Sequence, residues 1–202
     1  MIEINCHSSI KISKGKTIYL DPFKIEKESH DADVILITHD HYDHYSPKDI
    51  EKVATNETII VAPKTVKALS KMKNTLLVEP NQRYEVQGVK IETIASYNIN
   101  KKFHPKENQW VGYVIEIEGT RYYIAGDTDI TPENKQVKCD VALVPVGGTY
   151  TMTYVEAAEL VNTIMPKIAI PTHYGSVVGE KEDGEKFKQF LNPEIKCEIL
   201  IK

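Results

Sequence analysis

The segment that most limits the possible folds of this chain is a short apolar run followed at once by a histidine-rich loop. Residues 34–37 read Val-Ile-Leu-Ile, which predicts a strand buried on both faces. Residues 38–44 follow directly and contain three of the seven histidines in the chain. Because functional groups of α/β proteins lie at the carboxyl ends of strands, this pattern predicts a site at one edge of a sheet.

The polar residues of this loop occur in the order His39-x-His41-x-Asp43-His44. Histidines two positions apart project to the same side of extended backbone, so His39 and His41 can bind one ion from the same direction. A turn after them would aim Asp43 and His44 toward a second ion. Imidazole and carboxylate ligands without a thiolate suit Zn, Mn or Fe. The loop therefore predicts two divalent metal ions, with Zn favoured.

This motif after a buried strand resembles the signature of the metallo-β-lactamase-fold hydrolases. Three other segments match the same family in the same order along the chain. Residues 19–22 lie before the loop, and residues 125–129 and 171–175 lie after it. Among the branches, the chain is most similar to the compact hydrolases related to ascorbate-6-phosphate lactonase and N-acyl-phosphatidylethanolamine phospholipase D. The resemblance implies an α/β fold, the four-layer αββα sandwich, and a metal-dependent hydrolase in which Asp43 binds metal and orients the attacking hydroxide.

The resemblance also suggests roles for residues outside the loop. Asp127 is a candidate to bridge the two ions, although Gly-Asp-Thr-Asp sequences also form turns. His173 follows the apolar run 168–170 and is a further candidate ligand. Asp21 either begins a turn or hydrogen-bonds and orients the histidine loop. For His7, a hydrogen-bonded histidine near the core is favoured over a direct ligand. Asp129 is expected to form a cap or a turn.

One ligand of the first ion departs from the family pattern. Where the family supplies another histidine after a strand, this chain has Ala-Ser-Tyr-Asn at residues 95–98. Either Asn98 leaves that position to water, or His104 enters from the following loop. A solvated surface histidine is the third alternative for His104.

The same loop contains Lys101, Lys102 and Lys106. A charge run of this kind usually lies on a solvated surface. If the loop borders the site instead, these lysines would favour a small anionic substrate, such as a phosphorylated one.

Length and composition narrow the class of protein. The chain has 202 residues, 25 basic and 29 acidic, so the formal net charge is −4. We expect one domain over residues 1–202, with no long nucleic acid as a partner and no membrane span. Three widely spaced cysteines without metal-ligand spacing suit a cytoplasmic protein with reduced thiols. A homo-oligomer is left open.

The remaining apolar and capping patterns alternate between strands and helices. A β-hairpin is predicted at residues 8–20, and a helix is predicted from residue 46, as the N-cap, to about residue 53. Further helices are predicted at 63–72, 153–165 and 180–191, and further strands at 58–61, 76–78, 89–96, 111–117, 121–125, 141–144, 168–170 and 195–201. Five of the predicted strands end in polar or glycine-rich loops, which places the chemistry at one edge of the sheets.

These patterns favour a hydrolase that attacks a small ester, lactone or phosphodiester with a metal-activated hydroxide. Tyr150 or a metal-bound water could protonate the leaving group. The interval from Asp127 to His173 is too short for a nuclease clamping domain. A di-iron electron-transfer module would be expected to have glutamate at the position of His41. It would also be expected to include a flavin domain. The alternative is a non-catalytic or weakly active metal-binding protein on the same fold.

Overall fold

The computed structural model describes residues 1–71 and 73–201 of the chain. Six strands form the first sheet in sequential order, and their bounds are β1 Ile2–Cys6, β2 Ser9–Lys14, β3 Lys16–Leu20, β4 Ala32–Leu36, β5 Ala54–Pro63 and β6 Thr75–Val78. The strands β1, β2 and β3 pair antiparallel, whereas β3 to β6 pair parallel. The predicted hairpin at residues 8–20 is thereby confirmed.

Seven strands form the second sheet, with bounds β7 Arg83–Val86, β8 Val89–Ala95, β9 Val111–Ile117, β10 Thr120–Ile124, β11 Val141–Pro145, β12 Ile168–Thr172 and β13 Lys196–Cys197. The strands β7 to β10 pair antiparallel, and β10 to β13 pair parallel. Each sheet thus joins an antiparallel half to a parallel half. Within each sheet, all the parallel strands end at one edge. Every second strand of the antiparallel half ends at that edge as well.

Three α-helices lie outside the sheets, namely α1 Pro47–Val53, α2 Tyr154–Ile164 and α3 Asp183–Gln189. The side chain of Ser46 accepts a hydrogen bond from the backbone N–H of Asp49, and Pro47 occupies the first helical position. At the start of α2, Thr153 and Glu156 form a capping box. Both helix starts predicted from the sequence are confirmed. No helix in the described part of the chain is long and apolar enough to cross a membrane.

Three apolar clusters divide the molecule into layers. The cluster between the sheets includes Leu36 of β4 and Tyr113 of β9, both of which are buried. A second cluster packs α2 against the outer face of β11, with Leu160 among its members. The third packs α1 against the outer face of the first sheet through Ile50. The layers therefore run helix, sheet, sheet, helix, which confirms the predicted αββα sandwich.

Several predicted elements differ from the structure. The helix predicted at 63–72 is wrong, because β5 continues to Pro63 and is followed by a 3-10 helix at Lys67–Lys71; Met72 lies outside the described residues. The edge strands β1 and β7 were not predicted, since each is short and alternates polar with apolar residues. The C-terminal helix is shorter than predicted, and the closing strand pairs only at Lys196–Cys197.

Candidate metal centre

The histidine-rich loop leaves β4 at the edge where the strands end. The backbone N–H groups of His44 and Tyr45 both donate to the carbonyl of His41, over 3.0 and 2.8 Å, and this turn redirects the second half of the loop. Before the turn, Nε2 of His39 and Nδ1 of His41 lie 3.1 Å apart. After it, Asp43 and His44 point to a different place, as the sequence pattern led us to expect.

His39, His41 and His104 form one cluster, which we call the first ligand group. Their ligand-capable nitrogens all lie within 4.8 Å of one another. His104 comes from the loop after β8, and its ring centroid is 5.2 Å from that of His39 and 5.0 Å from that of His41. His39 and His104 are buried, whereas His41 is half-buried. These three nitrogens could hold one metal ion.

His7, Asp43, His44 and His173 form the second ligand group, and their ligand-capable atoms also lie within 4.8 Å of one another. His173 follows β12, and the backbone N–H of His173 donates to the carbonyl of His7 over 3.0 Å. The two imidazole centroids are 3.7 Å apart. Both residues have left-handed backbone, with φ of 57° at His7 and 58° at His173. The second group therefore joins the first sheet to the second.

Asp127 follows β10 and lies between the two groups. Its Oδ2 atom is 3.2 Å from Nε2 of His104 and 3.0 Å from Nε2 of His173. Its Oδ1 atom is 3.3 Å from Nε2 of His44. The carboxylate thus contacts imidazoles of both ligand groups, Oδ2 facing one from each and Oδ1 facing His44.

Asp21 holds the histidine loop from behind. Its carboxylate accepts hydrogen bonds from the backbone N–H and the hydroxyl of Thr38, over 2.8 and 2.6 Å. It also lies 2.7 Å from Nδ1 of His44. Because Nδ1 of His44 donates to this carboxylate, Nε2 is the ring nitrogen that faces Asp127. Asp21 therefore occupies the orienting position that the resemblance suggested.

The structure separates the three alternatives for Asn98 and His104. His104 is only 1% exposed, so it is not a solvated surface histidine. The side-chain oxygen of Asn98 accepts hydrogen bonds from the backbone N–H and from Nδ1 of His104, each over 3.0 Å. His104 therefore directs Nε2 into the first group, and Asn98 lies behind it.

His7 is fully buried, and its Nε2 atom lies 3.2 Å from Oδ2 of Asp43. The sequence favoured a hydrogen-bonded histidine over a direct ligand, and this hydrogen bond is present. The contact holds one of the two oxygens of Asp43. The same side chain also belongs to the second ligand group, so both alternatives agree with its position.

The ligand-capable atoms are better placed to bind a metal ion than to form hydrogen bonds with one another. Six buried atoms of the two groups and Asp127 have no hydrogen-bond partner among the described residues, namely Nε2 of His44, His104 and His173, Oδ1 of Asp127, and Nδ1 of His7 and His173. Buried polar atoms are nearly always paired, because leaving one unpaired costs about 1–3 kcal/mol. Three imidazole nitrogens and a carboxylate oxygen facing one another are the ligands that Zn, Mn and Fe accept.

Comparisons with known proteins agree with this chemistry. The family model described as the beta-lactamase superfamily domain matches residues 2–173. The chain is 30% identical to a UPF0173 metal-dependent hydrolase of Thermococcus onnurineus, over 96% of this chain and 92% of the relative. The chain belongs to the UPF0173 metal-dependent hydrolases of the metallo-β-lactamase superfamily.

Solved structures share the fold of this metal-dependent hydrolase. A proposed metal-dependent hydrolase from Parabacteroides distasonis is 32% identical, with a TM-score of 0.85 and coverage of 100% of this chain and 93% of the other. Igni18, a metallo hydrolase from Ignicoccus hospitalis, has a TM-score of 0.79 at 21% identity, with coverage of 98% and 93%. The second similarity supports the fold alone.

In the metal-free protein, burial and neighbouring charges decide which side chains of the candidate metal centre carry a proton. Burial lowers the pKa of His7 to about 4, and it lowers the pKa of His39 well below its ordinary value. Burial alone would raise the pKa of Asp127, but the neighbouring His173 and His44 hold it well below the usual range. Neutral imidazoles and an ionised carboxylate are the forms that bind a metal.

Burial opposes the charged form of His44 as well, yet Asp127 and Asp21 raise the pKa of this imidazole well above its ordinary value. His44 therefore differs from His39, which has no carboxylate hydrogen-bonded to Nδ1. A metal ion at Nε2 of His44 would replace a proton there, so binding to the second group releases a proton near neutral pH.

The lysine-rich loop of the hydrolase is tied down by ion pairs. Lys101 binds Oδ1 of Asp129, whose Oδ2 atom accepts a hydrogen bond from the backbone N–H of Ile99 over 2.9 Å. Lys106 lies 2.9 Å from Glu133. Asp129 therefore fixes the loop, in agreement with the cap or turn expected for it.

Trp110 is a site residue that the sequence analysis missed. Its ring centroid lies 4.8 Å from the centroids of both His39 and His41, and only 7% of the residue is exposed. The indole packs beside these two histidines of the first group, and its centroid is 5.6 Å from that of the third, His104. The available signal was its position, since the single tryptophan of the chain directly precedes β9.

Proposed function

We propose that this metal-dependent hydrolase binds two divalent ions, with Zn favoured over Mn or Fe, and hydrolyses a small ester, lactone or phosphodiester. The observation that carries the proposal is the placement of Asp127 between two separate ligand groups, within 3.3 Å of His44, His104 and His173. A carboxylate in this position can bind two ions that lie a few ångströms apart.

In this proposal the residues divide between two ions. His39, His41 and His104 hold the first ion, Asp43, His44 and His173 hold the second, and Asp127 binds both. Bound ions of this kind lower the pKa of a water toward neutrality, polarise the attacked carbonyl or phosphoryl oxygen and stabilise the negative charge that develops there.

The protein supplies orientation and proton control around the ions. Asp43 is the proposed catalytic residue, since its carboxylate would both bind metal and orient the attacking hydroxide. His7 fixes Oδ2 of Asp43 over 3.2 Å, and Asp21 fixes His44 over 2.7 Å. Geometry held in this way, without rearrangement during the reaction, is a large part of catalysis by such sites.

Further parts of the proposal rest on the sequence. The compact branch related to ascorbate-6-phosphate lactonase and N-acyl-phosphatidylethanolamine phospholipase D remains our assignment within the superfamily. A small-molecule substrate is favoured over long nucleic acid, because the net charge is −4. Three unpaired cysteines favour a cytoplasmic location.

Elemental analysis of protein purified without added metal tests the proposal, together with His41→Ala and a panel of lactone, ester and phosphodiester substrates. We expect about two equivalents of metal in the parent protein and loss of activity in the variant. The exposed His30 gives the control, since His30→Ala removes an imidazole outside both ligand groups. Equal activity of the parent protein and His41→Ala would contradict the proposed mechanism. Metal binding on this fold, without the proposed catalysis, would then be the remaining interpretation.

A further inference from the structure

The loop from Asn98 to His104 exposes two large apolar side chains on either side of the exposed Lys102. Ile99 is 52% exposed and Phe103 is 46% exposed. Lys101, by contrast, has only 22% of its side chain exposed and is paired with Asp129. The loop therefore presents an apolar face to whatever approaches the candidate metal centre.

One tyrosine extends this apolar face. Tyr150 is 37% exposed, and its ring packs edge-on against Phe103 with the centroids 4.6 Å apart. We call Ile99, Phe103 and Tyr150 the apolar rim.

The apolar rim includes residues of the loop that carries a candidate ligand. Phe103 directly precedes His104, and Ile99 directly follows Asn98, the hydrogen-bond partner of His104. The rim supplies three of the eight large apolar side chains that are exposed over residues 1–71 and 73–201. Scattered exposed apolar residues are ordinary, but such a concentration at a site indicates a ligand-binding surface.

The rim is also connected to the ligands by hydrogen bonds. Nδ2 of Asn98 donates to the carbonyl of Tyr150 over 3.0 Å, while the side-chain oxygen of Asn98 accepts from His104. One side chain thus fixes both the carbonyl beneath the rim and the imidazole that faces the metal position. A group bound on the rim would be held at a set distance from the ions.

The loop from Asn98 to His104 presents one exposed lysine, Lys102, rather than a cluster of free cations. Lys101 and Lys106 are paired with Asp129 and Glu133, so neither presents a free positive charge. Of the three lysines that suggested an anionic substrate, two are therefore neutralised. Releasing either from its carboxylate to bind a substrate anion would leave that carboxylate unpaired.

We infer that the apolar rim binds an uncharged apolar acyl group of the substrate, next to the bond that the metal centre hydrolyses. This inference rests on the proposed hydrolytic function and names its substrate class. The rim would remove the acyl chain from water while the ester carbonyl lies over the metal positions. Each methylene that is fully buried contributes about 0.8 kcal/mol, and an open rim contributes less.

Hydrolysis of p-nitrophenyl esters with one leaving group and three acyl groups tests this inference. We expect kcat/KM to be about tenfold higher for the hexanoyl than for the acetyl ester, and to fall for the adipoyl monoester, which ends in a carboxylate. In Phe103→Ala the hexanoyl to acetyl ratio is expected to fall to about threefold or less. Met165→Ala is the control, because Met165 is 43% exposed at the opposite end of α2 from the site and should keep the parent ratio.

Binding of hexanoate, acetate and adipate to the metal-loaded protein, measured by saturation-transfer NMR, separates the two proposals. Preference for hexanoate that depends on Phe103, without hydrolysis of any ester, would support the rim and overturn ester hydrolysis. Hydrolysis with equal rates for the three esters, or fastest for the adipoyl ester, would overturn the rim and leave the hydrolase. Absence of both binding preference and ester hydrolysis would overturn the rim and ester hydrolysis together, and would leave the phosphodiester arm of the proposed function to the substrate panel above.

Discussion

The two ligand groups of the candidate metal centre are built in different ways. In the first group, His104 comes from a loop and depends on Asn98 for its orientation, while His41 remains half-buried. In the second group, His7 and His173 directly follow strands of different sheets and are both buried. The first group is therefore the more adjustable and more accessible one, whereas the second depends on the packing of the two sheets.

Removal of Asp127 should have the largest effect, because this carboxylate is the element that the two groups share. We expect Asp127→Ala to bind less than one equivalent of metal and to lose roughly a thousandfold in kcat/KM, several kcal/mol of transition-state stabilisation. Metal content and activity can be measured on the same samples. Asp31→Ala removes a surface carboxylate as the control. Retention of two equivalents by Asp127→Ala would refute the shared position.

Removal of one histidine from each group should separate the two sites. We expect His104→Ala and His173→Ala each to retain about one equivalent of metal, with the remaining ion in the intact group. Titration of the metal-free variants with Co²⁺ would give two different absorption spectra, because the first group offers imidazoles and the second adds the Asp43 carboxylate. Identical spectra would show that the groups do not act as separate sites.

Loss of a supporting residue should weaken only the group that it holds. His7→Ala is expected to reduce affinity for the second equivalent by about 10- to 100-fold, and Asn98→Ala to do the same for the first. His7→Gln keeps a nitrogen donor toward Asp43 and should restore part of the loss. Calorimetric metal titrations check both groups. A purely structural role for His7 would lower the melting temperature and weaken both equivalents alike.

The smallest expected effect is the response of the metal-free protein to acid. Burial lowers the pKa of His7 to about 4, from the ordinary 6.5 of an unfolded histidine. Below pH 6.5 the unfolded chain therefore binds more protons than the folded one, and stability falls as the pH drops. Between pH 7 and 5.5 this histidine should cost about 1 kcal/mol of unfolding free energy.

Urea unfolding of EDTA-treated protein at these two pH values measures the effect. The His7→Gln variant, which has no imidazole to protonate, should lose less stability on acidification than the parent protein. His44 acts in the opposite direction, because Asp127 and Asp21 raise its pKa and the folded form holds the proton already. An equal loss in parent and variant would show that His7 is not kept neutral by burial.

Local patterns were sufficient for the elements with strong signals. The buried strand before the histidine loop, the Ser46 cap of α1 and the capping box of α2 were all predicted, because each depends on residues within a few positions of one another. The edge strands β1 and β7 were missed, since their backbone is held by pairing with a neighbour rather than by a strong apolar pattern. The wrong helix at 63–72 began from a proline that instead ends β5.

The sequence by itself determined the ligand types and the loop that presents His39, His41, Asp43 and His44, because their spacing acts over one strand end and one turn. It also indicated the family, which the comparisons showed. Only the tertiary structure decided that His104 joins the first group, that Asn98 lies behind it and that Lys101 and Lys106 are paired with carboxylates. Those outcomes depend on contacts between segments far apart in the chain, which no local pattern of residues encodes.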